Sequence, residues 1–226
     1  IRDHLPGEIA RRSYICSQPP DIVDYRRWQR ILHDRGWGAP HWPVEHGGTG
    51  WTAMQQHLFM EEVYRADAID YGWQGTHMIG PVLIAFGSEA QRQRFLPPML
   101  RGEEIWCQLF SEPGAGSDVA SLAATGVLDG DEWTVNGQKV WTTLAHLSRW
   151  GMLIVRTDPE AAKHRGMTYF VVDMHAPGVD VRPLRQMTGD ADFSEVFFDS
   201  VRVPKENLVG PRGKGWQVSR STLKHE

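Results

Sequence analysis

Ser111-Glu112-Pro113-Gly114-Ala115-Gly116-Ser117-Asp118 is the stretch from which this chain of 226 residues is best read. The apolar run Ile105 to Phe110 leads into it with the character of a β-strand. Pro113 fixes its own φ, and glycine adopts positive φ at no steric cost, so the segment predicts a tight bend. With no Cβ at Gly114 and Gly116, the main chain can lie flat on a ligand and aim N–H groups at it. Hydroxyls at Ser111 and Ser117 flank the bend. Glu112 and Asp118 are placed to tie it down through local side-chain to main-chain hydrogen bonds. Surface turns share this composition, and spacing alone leaves that alternative open.

Upstream of the bend, residues 1–104 read as helical. After Pro19-Pro20, the positions Ile22, Tyr25, Trp28, Ile31 and Leu32 recur at helical spacing up to Gly36. A Gly/Pro-rich connection, Gly38 to Gly48, follows. Its His41, Glu45 and His46 lack the H-E-x-x-H spacing, and its prolines forbid the helix that motif needs, so no metal site is expected. Thr52 with Gln55, and Ser88 with Gln91, spell two capping boxes. The first opens a helix whose buried side is expected at Leu58, Phe59, Met60, Val63 and Tyr64. A further run spans His77 to Phe86, with Pro81 at a start or a kink. The second box opens a short helix through Phe95, where Pro97-Pro98 and then Gly102 mark the break.

Downstream, short β-rich runs alternate with turns: 105–110, 123–128, 132–135, 138–142, 152–156, 167–173, 179–184 and 194–198. Asp129-Gly130-Asp131 and Asn136-Gly137 are hairpin signals between such runs. Regularly spaced short strands predict a barrel or a sandwich. Helical periodicity returns at Lys214, with Trp216, Ser219 and Leu223 on one face. The expected fold class is multidomain α and β: an all-α domain over 1–104, a β domain over 105–212, and the first helix of a truncated helical domain over 213–226.

Bulk properties narrow the function. A formal charge of −4 and the absence of any basic run argue against a nucleic-acid surface. No apolar run approaches the ~20 residues of a membrane span, and no signal-peptide pattern opens the chain. Cys16 and Cys107 have neither pairing nor metal-ligand spacing, which suits a reducing, cytoplasmic setting. Ten tryptophans fit both core filling and stacking on a planar cofactor. The start at Ile1 and the stop at Glu226, inside a helical pattern, read as a fragment.

The order E-P-G-A-G-S-D, then Lys139-Val140-Trp141-Thr142-Thr143 as a K-x-W-x-T segment, resembles the flavin-dependent acyl-CoA dehydrogenase family. Trp42 to Gly50 also resembles that family's W-P-x-E-x-G-G-x-G turn, and the similarity runs from about Trp42 to Glu226. The resemblance implies FAD, α,β-desaturation of an acyl-CoA in fatty acid β-oxidation or wider lipid metabolism, and electron-transfer flavoprotein as acceptor. It also implies a homo-oligomer or heterotetramer. By the same resemblance the flavin lies against Gln108, Phe110, Ser111, Gly114, Gly116, Ser117, Trp141, Thr142 and Thr143. Main-chain groups near Phe110 and Ser111 would face the ring's polar edge, Trp141 would pack on the ring, and Ser117 would also reach substrate.

Such a reaction needs a carboxylate for the α-proton, donors for the thioester carbonyl and an acceptor for hydride. Glu226 falls, by resemblance, where a minority of the family carries its base; many relatives carry it in a later domain. Lys224 stands where many relatives have an acidic residue, so substrate contacts there do not carry over. Two alternatives remain open at this point. One is an acyl-CoA oxidase or flavin monooxygenase on the same scaffold. The other is a flavin-binding or non-catalytic subunit of a heteromeric dehydrogenase.

Overall fold

The computed structural model describes residues 1, 3–14, 22–68 and 73–224. Helices α1 (Gly7–Tyr14), α2 (Ile22–Asp34), α3 (Ala53–Arg65), α4 (Gly80–Phe86) and α5 (Glu89–Leu100) precede every strand. Both capping boxes form as written. The Thr52 and Ser88 hydroxyls accept from the N–H groups of Gln55 and Gln91, whose side chains return the bond. Gln91 then reaches across to the carbonyls of Glu206 and Leu208, at 2.7 and 2.9 Å, tying α5 to the β region.

Two helical expectations need correction, and a third, for Pro81, is resolved to a helix start. Helix α5 does not break at Pro97-Pro98 but runs on to Leu100, because Pro98, Met99 and Leu100 are buried in the core. Burial of such side chains is worth ~1.5–3 kcal/mol each, enough to offset main-chain bonds lost at the end of a helix. In α3 only Val63 is buried, and Leu58 and Tyr64 are 51% and 61% exposed. Pro81 sits in the first turn of α4, directly after a π-helical turn, Trp73–Ile79. A proline needs no N–H there. The carbonyl of Thr76 instead accepts from the Trp42 indole at 2.7 Å and from His41 Nε2 at 3.0 Å, which fastens the Gly/Pro-rich connection to the helices.

Strands β1 (Trp106–Leu109), β2 (Thr125–Asp129), β3 (Glu132–Thr143), β4 (Trp150–Arg156), β5 (Met167–Asp173), β6 (Val179–Leu184) and β7 (Phe193–Pro204) form one mixed, curled sheet. The order is β1-β4-β2-β3-β7-β6, with β5 paired to β4. The expected β domain is thus present, as a single curled sheet that wraps its own core between the helical region and the closing helix. Asn136-Gly137 is no hairpin: β3 passes straight through it, and the register against β7 slips between Val135 and Gly137. Gly137 has φ of 143°, and a Cβ there would lie 2.5 Å from that of Ala124. Only glycine fits, so the dipeptide reads as a bulge.

Strands β4 and β5 are apolar on both faces and separate two cores. Leu153, Val155, Phe170 and Val172 face inward with Trp133, Val135, Val196 and Val203. Met152, Ile154, Tyr169 and Val171 face outward and pack with Met78, Leu83, Phe95 and Met99 of the helical layer. Helix α6 (Gly215–Leu223) closes the described chain. Its buried side is Gly215, Val218, Ser219 and Thr222, one step round from the expected face. Cys107 is buried, and Cys16 lies outside the described residues. Among the described residues no helix is long and apolar enough to cross a membrane, and no group of His, Cys, Asp or Glu is placed to hold a metal.

Candidate functional site

The bend and the β3 segment meet because two buried charges pair. Lys139 is completely buried; its ammonium lies 2.8 Å from Glu112 Oε1 and donates to the Phe110 carbonyl at 3.0 Å. Glu112 also accepts from the N–H groups of Ala123 and Ala124, at 2.6 and 3.1 Å. In place of the local bonds expected of Glu112 and Asp118, Glu112 reaches main-chain N–H groups eleven and twelve positions on, and Asp118 accepts from the side chains of Ser121 and Lys163. The Val140 N–H donates to the Ser111 carbonyl at 2.9 Å. Burial pushes the lysine down to about 8, and Glu112 pulls the other way. Every polar atom of the staple has a partner, which is what allows it to stand in the core.

Immediately past Lys139 the β3 register slips again, before Thr142. Trp141 occupies this bulge with φ of 59°, and Leu144 follows at 55°. A left-handed backbone at a bulky residue is strained by ~1–3 kcal/mol and concentrates at functional sites. The strain turns the indole outward: Trp141 is 64% exposed, edge-on to Phe193 at 6.3 Å.

Between bend and bulge lies a cleft of about 540 Å³, lined by Gln108, Phe110, Ser111, Gly116, Ser117, Val119, Val140, Trp141, Thr143, Phe193 and Leu223. Of the expected site residues, Gln108, Phe110, Ser111, Gly116, Ser117, Trp141 and Thr143 come together here. Thr142 does not; strand alternation turns it to the other face, where it is buried. Gly114 is exposed and stands off the lining. Neither Gly114 nor Gly116 has a positive φ, so the bend is not their reason. A Cβ on either would meet no protein atom within 4 Å, leaving both faces bare to whatever fills the cleft. Glu226 lies outside the described residues.

The donors suit a planar, partly anionic guest. Among the described residues the N–H groups of Ser111, Gly116 and Ser117 donate to no protein acceptor. The carbonyls of Phe110 and Ser111 are already engaged by Lys139 and Val140, so only the donor side of that main chain is open. Phe110, Val119, Val140, Trp141 and Phe193 supply apolar and aromatic walls. A flavin fits this set: a flat ring against an exposed indole, hydrogen-bond acceptors on unused N–H groups, and no Cβ in the way. Sequence reading missed Val119, Val140, Phe193, Leu223 and the staple; only the motifs' own Glu112 and Lys139 carried a signal.

Comparison with known proteins places both halves of the chain in one family. Residues 18–103 match the family described as acyl-CoA dehydrogenase, N-terminal domain, and residues 107–201 match acyl-CoA dehydrogenase, middle domain. The chain is 48% identical over 230 residues to the acyl-CoA dehydrogenase IpdE1 of Mycobacterium tuberculosis, covering 100% of this chain and 60% of that one. It is 48% identical over 202 residues to FadE34 of the same organism, covering 88% and 28%. Among solved structures, the Tcur3481-Tcur3483 steroid ACAD superposes with a TM-score of 0.88 at 32% identity, over 99% of this chain and 58% of that one. The ChsE4-ChsE5 complex from Mycobacterium tuberculosis gives 0.81 at 35%, over 100% and 60%. The chain therefore spans about 60% of the length of several relatives it matches end to end.

Proposed function

The chain belongs to the acyl-CoA dehydrogenase family, and on that premise we propose that the cleft between bend and bulge holds FAD and serves α,β-desaturation of an acyl-CoA thioester. The observation that carries this reading is Trp141, held outward by a strained bulge over unused N–H donors. Bound FAD supplies the hydride acceptor that no side chain can provide. Trp141 and Thr143 would hold the ring, and Ser111 would offer its N–H and hydroxyl to the ring's polar edge. Gly116 and Ser117 offer theirs to phosphate or to the ligand's thioester arm. Phe193 and Leu223 exclude water. We assign Glu226 as the base. By resemblance it falls where a minority of the family carries its base, and Leu223, the last residue of α6, lines the cleft. A base there removes the α-proton from the side opposite the flavin.

Two relatives carry further weight. One is named a steroid ACAD and another is a complex of two chains, so ring-bearing thioesters are the substrate class to try first and a heteromer is the assembly to look for. The domain division 1–104, 105–212 and 213–226, the electron-transfer flavoprotein as acceptor and a soluble cytoplasmic setting complete the reading. The test is anaerobic flavin reduction by acyl-CoA in the full-length protein. Glu226→Gln should slow it by ~10²-fold or more while FAD stays bound. Reduction at the wild-type rate in that variant would move the base elsewhere.

A further inference from the structure

Helix α6 meets the sheet with a face that has little shape to key it: Gly215, Val218, Ser219 and Thr222. Its first residue lies against β5 so closely that a Cβ on Gly215 would come within 2.8 Å of the Thr168 backbone. Just before it, the Gly213 N–H donates to Thr168 Oγ1 at 3.1 Å. That fixes one end. Along the rest, Val218 packs in the core and the Trp216 ring lies 4.6 Å from His164, contacts that hold the helix without any directional bond. The Ser219 hydroxyl is spent on its own helix, on the Trp216 carbonyl at 3.0 Å.

One directional bond adds to that packing. Tyr169 of β5 and Thr222 of α6 are both fully buried, and their hydroxyls lie 3.1 Å apart. Among the described residues this is the only side-chain hydrogen bond joining α6 to another element. Thr222 stands seven residues, two helical turns, beyond Gly215, so both attachments lie on one face. Two points on one face fix position and azimuth together. The Tyr169 ring is itself held edge-on by Phe110, 5.9 Å away, and Phe110 lines the cleft. The residue after Thr222 is Leu223, which lines it from the other side.

We propose that Tyr169, through its hydrogen bond to Thr222, is a positioning residue that sets the azimuth of α6 and so aims Leu223 at the cleft. The rate arm of the test rests on the reading of Glu226 as base; a second arm does not. For the second arm, nitroxides are placed on Leu223→Cys and Asp129→Cys in full-length Cys16→Ser protein, and their separation is measured by pulsed EPR. Wild-type Tyr169 should give one narrow distance population, and Tyr169→Phe a broadened or displaced one. An unchanged distribution in Tyr169→Phe overturns the proposal.

In the rate arm, Tyr169→Phe and Thr222→Val should each slow flavin reduction by acyl-CoA ~10-fold at unchanged FAD content, the scale of a sub-ångström misplacement. Both changes together should be no slower than either alone, since they remove one bond. In a Glu226→Gln background, Tyr169→Phe should cost nothing further. A wild-type rate in Tyr169→Phe, a full second loss in the Gln background, or loss of FAD in place of slowed reduction would each overturn it. Should Glu226→Gln alone leave the rate unchanged, the base assignment falls, and the spin-label distances still decide the positioning role.

Discussion

Lys139→Met is the substitution with the most to say about how the site is held. The side chain keeps its length and stays in the core, but Glu112 loses the ammonium 2.8 Å away while remaining buried. Two main-chain N–H groups still bond the carboxylate, so it is not abandoned outright. Removing one partner of a buried pair costs about 3–5 kcal/mol, and the orphaned Phe110 carbonyl adds to the same account. For a chain of this size each kcal/mol lowers Tm by ~2–4 °C, so the variant should melt ~6–20 °C below wild type. Glu112→Gln added to Lys139→Met keeps an acceptor for Ala123 or Ala124 and discharges the site, so it should recover ~0.5–3 kcal/mol. Thermal and urea melts measure both. A loss below ~1 kcal/mol in the single variant, or no recovery in the double, would show that the staple does not hold the two motifs together.

The same pair fixes a pH dependence. Burial holds Lys139 at about 8 in the fold, whereas an unfolded lysine keeps its proton to ~10.4. Between those values the unfolded state binds more protons, so this group makes stability rise with pH. Cys107, pushed up to about 12 by burial, acts with the opposite sign, as does Tyr169, also raised by burial. Subtracting the Lys139→Met/Glu112→Gln melt cancels both, and the difference in favour of wild type should grow from pH 8 to 10; a flat or falling difference contradicts the assignment. Trp141→Gly should leave apo stability within ~1 kcal/mol, because relief of a left-handed backbone offsets glycine's added entropy and the indole is mostly exposed. Flavin retention through gel filtration should nonetheless collapse, and full retention would detach Trp141 from the cofactor.

Local chemistry was the part of the fold that the sequence declared. Thr52/Gln55 and Ser88/Gln91 are satisfied within four residues, so nothing distant can overrule them. Pro97-Pro98 and Asn136-Gly137 misled because tertiary partners decided them: core burial carried α5 through the prolines, and β7 drew β3 straight through the bulge. The exposed side of α3 was unreadable for the same reason, since an apolar stripe says what can be buried and not what is there to bury it. At the site, period-two alternation alone separates Thr142 from Trp141 and Thr143, whereas the bulge between Lys139 and Thr142 is invisible to it. Lys139 and Glu112 stand 27 residues apart, and no spacing rule joins them.

The central claim is that bend and bulge together form a flavin cleft. It is tested most directly by the FAD content per chain of the full-length protein and of its Trp141→Ala variant, read from the visible spectrum and its bleaching by acyl-CoA without oxygen. The account predicts about one FAD per cleft in wild type, bleached by thioester, and little FAD in the variant. Wild-type protein that takes up no FAD, or a variant that holds and bleaches it as wild type does, would contradict the account.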